Sequence, residues 1–275
     1  MSERIIEIKP LKGWSLPEWR KMIQYRDLFV QLARREIVVK YKQTVLGPLW
    51  VVIQPLALTV ILTLVVGRMV DARQDHNGYL FFYAALIPWN YFSQTVQSVG
   101  GLFISNLHLF SKVYFPRLVV PVAMAGANLI GLAINGLLLI LTALLVAQDA
   151  VSPRLALLPV AFAWAAVVVL AIGLLIACTT ARYRDLSIAT PFLLQILFFA
   201  SPILYPLEKL DPALREVIAV CNPMTLVIET TRFAITGRIS MSGLEIAAAA
   251  ALTALLLLGA LVVFQRVERT VIDTV

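Results

Sequence analysis

The sequence predicts an all-α membrane protein with six transmembrane helices, an amphipathic helix before the first span and short external helices before the last one. Hydrophobic residues make up 60% of the chain and charged residues 14%, and the mean hydropathy is +0.86. These values lie outside the range of water-soluble domains. Six stretches long enough to cross a bilayer also follow one another almost without charged side chains.

The distribution of basic residues gives this prediction an orientation. If both termini are cytosolic, 16 of the 23 Lys and Arg residues fall on the cytosolic side, whereas the acidic residues divide equally between the two sides. This bias is the form that the positive-inside rule takes, because the rule counts Lys and Arg rather than net charge. The formal net charge of +7 is therefore explained by membrane topology, and no nucleic-acid partner is expected.

The N-terminal region is predicted to lie in the cytosol and at the membrane surface. Residues 1–22 are polar and lack the apolar core of a signal peptide, so we expect a cytosolic lead-in without cleavage. Residues 23–47 predict an amphipathic helix that contacts both lipid and protein. Pro48 then marks a bend into the first span, since proline fixes its own φ and restricts the residue before it. Trp50 can lie among the lipid headgroups.

The six spans define one transmembrane domain over residues 48–275. The fifth span is the least regular because it contains Pro191 and Pro202. After it, residues 207–212 and 222–233 each begin a helix too short and too charged to cross, which predicts a hairpin at the outer mouth, with a plain external loop as the alternative. The spans are expected at about residues 50–67, 79–104, 118–146, 155–180, 188–205 and 244–264.

The spans are poor in the groups that drive chemistry inside a membrane. Apart from Glu245 at the start of the last span, they contain no Asp, Glu, Lys, Arg or His, which proton-coupled transporters and intramembrane enzymes usually need. No G-x-x-x-x-G-K-[ST] nucleotide-binding motif is present. Both histidines fall in loops, and Cys178 and Cys221 fall on opposite sides of the bilayer, so neither a metal site nor a disulfide is expected. Uphill transport would then need energy from a cytosolic partner.

Two predicted cytosolic loops could contact such a partner. Residues 105–117 combine a short helix, ended by Pro116, with aromatic side chains, a pattern typical of a helix that docks into a protein groove. Aromatic residues lying among the headgroups are the alternative, and the loop after the fourth span fits lipid anchoring equally well. The predicted contact residues are Leu109, Phe110, Lys112, Val113, Tyr114, Phe115, Arg117, Arg182, Tyr183, Arg184 and Asp185.

Four runs of this sequence resemble, in the same order, the permease subunits of type 2 ABC exporters. They lie at residues 34–55, 112–117, 183–185 and 222–224, and only residues 1–22 lack a counterpart. The closer resemblance is to permeases that export O-antigen polysaccharide or wall teichoic acid. It implies a homodimer of six-span subunits with two cytosolic ATPase subunits, which bind ATP and Mg. It also implies an interface helix before span one, a coupling helix after span two and gate helices before span six.

The resemblance also implies a substrate, a polysaccharide on an undecaprenyl-pyrophosphate lipid that crosses the bacterial inner membrane for lipopolysaccharide biosynthesis. Basic residues at the membrane surface suit pyrophosphate, although anchoring to anionic membrane lipids explains them equally well. Aromatic rings stack on sugars and could line a passage, but aromatic residues that face lipid or the core are as frequent. The headgroup candidates are Arg34, Arg35, Lys40 and Lys42, and the channel candidates are Trp89, Tyr91, Phe92, Phe198, Phe199 and Tyr205.

Three other functions remain open at this point. A permease for teichoic acid or capsular polysaccharide would share every feature described above. A membrane enzyme acting on lipid-linked sugars would need paired carboxylates or a metal, and a scaffold protein would need neither. No convincing pair is evident among the external carboxylates Asp71, Asp75, Glu208, Asp211 and Glu229, so we expect a transport subunit without catalytic residues.

Overall fold

The computed structural model describes residues 24–67, 78–106, 115–146, 152–238 and 240–273, and this part of the chain contains helices and no strand. The all-α prediction is therefore confirmed for it. Short 3-10 turns lie at Gly47–Leu49, Pro153–Ala156 and Leu207–Lys209. The α-helices are α1 (Arg26–Tyr41), α2 (Trp50–Val65), α3 (Gly78–Gly100), α4 (Leu102–Ser105), α5 (Val119–Val146), α6 (Leu157–Arg182), α7 (Leu186–Ala200), α8 (Pro212–Cys221), α9 (Pro223–Thr236) and α10 (Gly243–Asp273).

Four helical segments among the described residues are long and apolar enough to cross a membrane: Gly47–Val65, Val119–Val146, Pro153–Arg182 and Gly243–Glu268. They coincide with the first, third, fourth and sixth predicted spans, and the chain is a multi-pass membrane protein. The second predicted span forms α3 and α4, and polar side chains lower the hydropathy of α3. The fifth forms α7, which has only 15 residues, whereas about 20 are needed to cross a bilayer. The six-span count stays a prediction.

Helix α3 lies at the centre of the bundle. Its apolar side chains point in almost all directions, and Phe82, Tyr83, Leu86 and Phe92 are completely buried against the surrounding helices. By contrast, α2 and α7 expose large apolar side chains such as Phe192, which hydrocarbon accommodates. The core therefore surrounds α3, and α2 and α7 present apolar outer surfaces.

Helix α1 packs on α5 through a close contact at a glycine. A Cβ atom at Gly126 would lie 3.0 Å from the Phe29 ring, so a larger residue there would require the ring to shift. Leu32, one turn further along α1, is also buried. At the predicted bend after α1, Gly47 has a φ of 51°, a conformation that favours glycine.

Helices α8 and α9 occupy the region where the short helices before the last span were predicted. Asp211 and Asn222 cap the two helices, because their side chains accept hydrogen bonds from Ala213 N and Met224 N. Each helix then has proline as its first residue, where the missing N–H costs nothing. Asn222 also donates to Ser201 Oγ at 2.8 Å and so ties the hairpin to the end of α7.

A buried ion pair holds α9 against the bundle. Arg232 Nη1 lies 2.8 Å from Glu229 Oε1, and both side chains are more than 90% buried. Arg232 also donates to the carbonyl oxygens of Ile203 and Phe81, and its guanidinium lies 3.6 Å from the centroid of the Phe81 ring. Glu229 is therefore paired with a cation one helical turn further along α9 and not with a second external carboxylate.

Replacing Gly126 should loosen α1. In Gly126→Val the new side chain overlaps the Phe29 ring, and overpacking of this kind typically costs about 1–3 kcal/mol. We expect a lower melting temperature in detergent and faster proteolysis near α1. Gly259→Val is the matched control because a Cβ atom at Gly259 meets nothing within 4 Å. Equal melting temperatures for the two variants would contradict this packing.

Replacing Arg232 should destabilise the protein more strongly. Arg232→Met leaves the Glu229 carboxylate buried without its cation, which typically costs about 3–5 kcal/mol. The double variant Glu229→Leu/Arg232→Met removes both charges and should recover part of the loss. Thermal unfolding of purified protein measures both effects. A double variant as unstable as Arg232→Met would show that the uncompensated charge is not the cause.

Candidate functional site

An open cavity of about 730 Å³ lies between α1, the start of α2, α3 and α5. This volume falls in the range typical of sites that bind small molecules, about 300–1,000 Å³. Its walls are of two kinds, since one part is apolar and another carries side-chain amides. The apolar part includes Ile37, Val51, Pro55, Ile130 and Ile134.

The amide wall is built from three helices. Helix α3 contributes Asn90, Gln94 and Gln97, whose spacings of four and three residues place them on one helical face. Amides both donate and accept hydrogen bonds and carry no charge, so they match sugar hydroxyl groups without preferring ions. The complete set lining the cavity is Gln54, Asn90, Gln94, Gln97, Asn128 and Asn135.

Lys40 of α1 reaches into this wall. Its Nζ donates to Gln94 Oε1 at 2.6 Å and to Asn128 Oδ1 at 3.2 Å, so one ammonium group links α1 with α3 and α5. Desolvation in the cavity lowers the pKa of Lys40, and the nearby Glu36 carboxylate opposes that shift. An ammonium group has three N–H donors, and the two amides occupy two of them.

Glu36 is the second charged residue of the cavity and precedes Lys40 by one helical turn. Desolvation raises the pKa of the Glu36 carboxyl, and the positive charges of Arg35 and Lys40 oppose that shift. Two opposite charges one turn apart lower the cost of desolvating each other. The charged side chains of the cavity therefore come from α1, whereas its side-chain amides all come from α2, α3 and α5.

Two amide environments can be distinguished in the cavity. Asn135 is buried and fully hydrogen-bonded, since Nδ2 donates to the carbonyl oxygens of Val51 and Gly131, and Oδ1 accepts from Tyr83 at 3.2 Å. It holds α2, α3 and α5 together. The side-chain amides of Gln54 and Asn90, by contrast, make no hydrogen bond within the described part of the chain. These two amides can bind a ligand without first breaking a protein contact.

The four predicted headgroup residues occupy different positions. Lys40 lines the cavity, whereas Arg35 donates to Asn106 Oδ1 at 3.3 Å beside α4. All four residues are exposed, and Arg34 and Lys42 do not line the cavity. The contact with a substrate headgroup stays a prediction for all four, and Lys40 is the member of the set that the cavity contains.

The three predicted channel aromatics on α3 lie in the core. Trp89 and Tyr91 are 5% exposed, and Phe92 has no exposed surface in this conformation. Tyr91 borders the cavity and donates through its hydroxyl to the carbonyl oxygen of Ala125. In this conformation Phe92 packs in the protein core and offers no surface to a passage.

The channel aromatics on and after α7 lie closer to the surface. The Phe198 ring is half-buried and lies edge-on to Trp89, with 5.5 Å between ring centroids. Phe199 is exposed, and the hydroxyl of Tyr205 donates to its carbonyl oxygen at 3.3 Å. The six predicted aromatics therefore do not share one surface within the chain, and their role in a passage stays a prediction.

The residues predicted to contact a cytosolic partner are described only in part. Phe115 is buried, and Arg117 is also buried and donates to the carbonyl oxygen of Glu268 at 2.7 Å. The turn between α6 and α7 is exposed and carries Arg182, Tyr183, Arg184 and Asp185. Outside the described residues lie Leu109, Phe110, Lys112, Val113 and Tyr114.

No candidate metal site is found among the described residues, since no three His, Cys, Asp or Glu side chains come together there. The side-chain amides of the spans were not predicted to form a site. The spacing of Asn90, Gln94 and Gln97 was the available signal, because an amide stripe along one face of an otherwise apolar helix needs a polar surface to face.

Apolar spanning helices around a partly polar cavity define a multi-pass membrane protein. Residues 27–236 match the family described as ABC-2 type transporter. The match covers more than half of the chain, so the chain belongs to this family of membrane transport subunits, which are not themselves enzymes.

Curated relatives within this family are named for polysaccharide export. The chain is 29% identical to the O-antigen export system permease protein RfbA of Myxococcus xanthus, over 74% of this chain and 78% of the relative. It is 25% identical to a protein of the same name from Klebsiella pneumoniae, over 75% and 79% of the two chains. It is also 25% identical to the polysialic acid transport protein KpsM of Escherichia coli, over 73% and 78%.

Proposed function

We propose that this chain is the permease subunit of an ATP-driven exporter that moves a lipid-linked polysaccharide from the cytosol across the bacterial inner membrane. Membership of the ABC-2 type transporter family supports the transport role. The names of the relatives favour O-antigen as the polysaccharide, and one relative is named for transport of polysialic acid. Capsular polysaccharide stays an alternative. The carrier of the undecaprenyl-pyrophosphate type and the teichoic acid alternative come from the resemblance of the sequence runs.

The proposed subunit has six spans, with α3 and α7 as the second and fifth and both termini in the cytosol. Helix α3 has 23 residues, or about 34 Å, which is enough to cross, and its amides face a cavity rather than lipid. Helix α7 is short, but at its end the Asn222 side chain donates to the carbonyl oxygen of Ala200 and to Ser201 Oγ. The irregular backbone after α7 is therefore covered by protein, as a membrane requires.

The proposed assembly is a homodimer with two ATPase subunits that bind ATP and Mg. Helix α1 is the interface helix, α8 and α9 are the gate helices, and the ATPase contacts the exposed turn before α7 together with residues 105–117. Residues 1–22 form the cytosolic lead-in. The apolar outer surfaces of α2 and α7 are available to lipid or to a second copy of the chain.

The observation that carries this proposal is the mixed chemistry of the cavity. A lipid-linked glycan joins three unlike parts, an isoprenoid chain, a pyrophosphate and sugars. The cavity offers an apolar wall, the Lys40 ammonium and a set of amides, and these suit the three parts in turn. A protein that only anchors to lipid would need the basic residue but not the amides.

The amides also suit a ligand that must be released. A hydrogen bond between neutral groups contributes only about 0.5–1.5 kcal/mol net, so a few such bonds select a sugar without trapping it. Gln94 and Asn128 occupy two of the three Lys40 N–H donors, so a phosphate can gain about one further hydrogen bond from Lys40. Modest net binding is what a site on a transport route requires.

A tagged chain purified from its native membrane should bring down a P-loop ATPase in equal amount. Because the exposed turn before α7 is a proposed contact, Arg184→Ala/Asp185→Ala should lower the recovered ATPase several-fold. Arg26→Ala, at an exposed position on α1, is the control and should not. A wild-type chain that purifies without any ATPase would contradict the proposal.

Removing the charge of Lys40 should weaken headgroup binding. A charge-assisted hydrogen bond is worth about 1.5–3 kcal/mol, so Lys40→Met should raise the substrate concentration for half-maximal stimulation of ATP hydrolysis about tenfold or more. Lys42→Met, which removes an exposed charge two residues away, should change it less than about twofold. Arg34→Gln/Arg35→Gln should also lower the stimulation with membrane insertion intact. Equal effects of Lys40→Met and Lys42→Met would exclude the cavity as the headgroup site.

A further inference from the structure

We propose that α10 transmits movement between Phe103 and Arg117, which lie on either side of the predicted ATPase-contact loop, and the hairpin of α8 and α9. In this proposal Arg117 and Arg215 are positioning residues that fix the two ends of α10. This inference rests on the proposed function, because the ATPase is taken to act on residues 105–117. It concerns contacts that lie away from the cavity, at opposite ends of one helix.

The first end of α10 is fixed to α8 by a forked ion pair. Arg215 Nη1 lies 2.7 Å from Glu245 Oε1, and Nη2 lies 3.1 Å from Glu245 Oε2. Nη2 also donates to the carbonyl oxygen of Ser240 at 2.7 Å. Two parallel contacts between a guanidinium and a carboxylate fix orientation as well as distance. A displacement of α8 should therefore also displace the first turn of α10.

The helix start holds Glu245 in place for this contact. Glu245 Oε2 accepts from Ser242 N at 2.7 Å, and Ser242 Oγ accepts from Glu245 N at 3.3 Å. This reciprocal arrangement is a capping box, which satisfies two backbone N–H groups at the start of a helix. The carboxylate that binds Arg215 is thus part of the helix cap, and the two contacts cannot move independently.

The second end of α10 is held on both sides of the predicted ATPase-contact loop. Before the loop, the Phe103 ring of α4 stacks on Phe264 with 5.6 Å between centroids and 30° between planes. After the loop, Arg117 Nη1 donates to the carbonyl oxygen of Glu268 at 2.7 Å, and its Nε lies 3.9 Å from Glu268 Oε1. Both chain segments that lead into residues 107–114 therefore contact the same helix.

The helix between these ends is suited to transmit movement. Glu245 and Glu268 are 23 residues apart, or about 35 Å, which is close to the thickness of the hydrocarbon core. No proline lies between Gly243 and Asp273, whereas α3 contains Pro88 and α7 contains Pro191. Because sharp kinks in helices arise mostly at proline, α10 can move as one body where α3 and α7 can bend.

A positioning role makes a prediction that a purely structural role does not. If Arg215 only stabilised the fold, its loss would lower export and ATP hydrolysis together. If it transmits movement, its loss should leave the ATPase running while export fails. Arg215→Gln removes the charge and the fork, whereas Arg215→Lys keeps the charge and loses the fork. Glu216→Gln, at the neighbouring exposed position of α8, is the matched control.

The test uses the complete complex with its ATPase, reconstituted in vesicles. We expect Arg215→Gln to keep ATP hydrolysis within about twofold of wild type while export per ATP falls at least tenfold, and Arg117→Gln to lower export per ATP by a similar factor. Arg215→Lys should be intermediate, and Glu216→Gln should match wild type. Normal export per ATP in both glutamine variants would overturn the inference. Absence of any ATPase from the wild-type complex would instead overturn the proposed function.

A second measurement decides the question if the glutamine variants do not fold. In a Cys221→Ser chain with otherwise native contacts, spin labels at exposed Val217 of α8 and exposed Leu244 of α10 report the distance between the two helices. Because Arg215 joins them, this distance should stay constant when ATP is added, while a label pair between α10 and α3 changes. A nucleotide-dependent change between α8 and α10 would overturn the inference.

Discussion

A polar group inside a bilayer must find its partner within the protein, because hydrocarbon offers no hydrogen bonds in exchange. The polar contacts of this chain follow from that constraint. Arg232 satisfies Glu229 and two carbonyl oxygens, and Asn135 binds three helices at once. Such contacts decide which helices must stay together. Where amides keep unused hydrogen-bonding capacity, as at Gln54 and Asn90, the bundle has a cavity instead of a core.

The parts of the fold with local signals could be predicted from the sequence. Long apolar stretches indicated six spans, and four of them coincide with described helices long and apolar enough to cross a membrane. Asn222 with Pro223 indicated the start of α9, and Pro48 indicated the bend after α1. Hydropathy was less decisive for α3 and α7. The amides of α3 lower its hydropathy although it lies at the centre of the bundle, and Ser201 ends α7 after 15 residues.

The site was only partly predictable because it depends on how helices pack. Lys40 could be named from its position at the membrane surface, but its partners come from α3 and α5, 54 and 88 residues further along the chain. The aromatic residues show the same limit, since Phe92 could face lipid, a passage or the core with the same sequence. Burial of Phe92 follows from the central position of α3, which no local pattern reveals.

The charged side chains and the side-chain amides of the cavity belong to different helices, and this division bears on transport. Both of its charged residues, Glu36 and Lys40, belong to α1, whereas all of its amides belong to α2, α3 and α5. Helix α1 is held to the bundle by the contact of Phe29 with Gly126 and by the Lys40 bonds themselves. A small displacement of α1 therefore changes the charge of the cavity but leaves its amides in place. Because electrostatic attraction weakens with distance, this displacement would change the binding of an anionic group. The amides would stay in place, so the binding of sugars could remain the same.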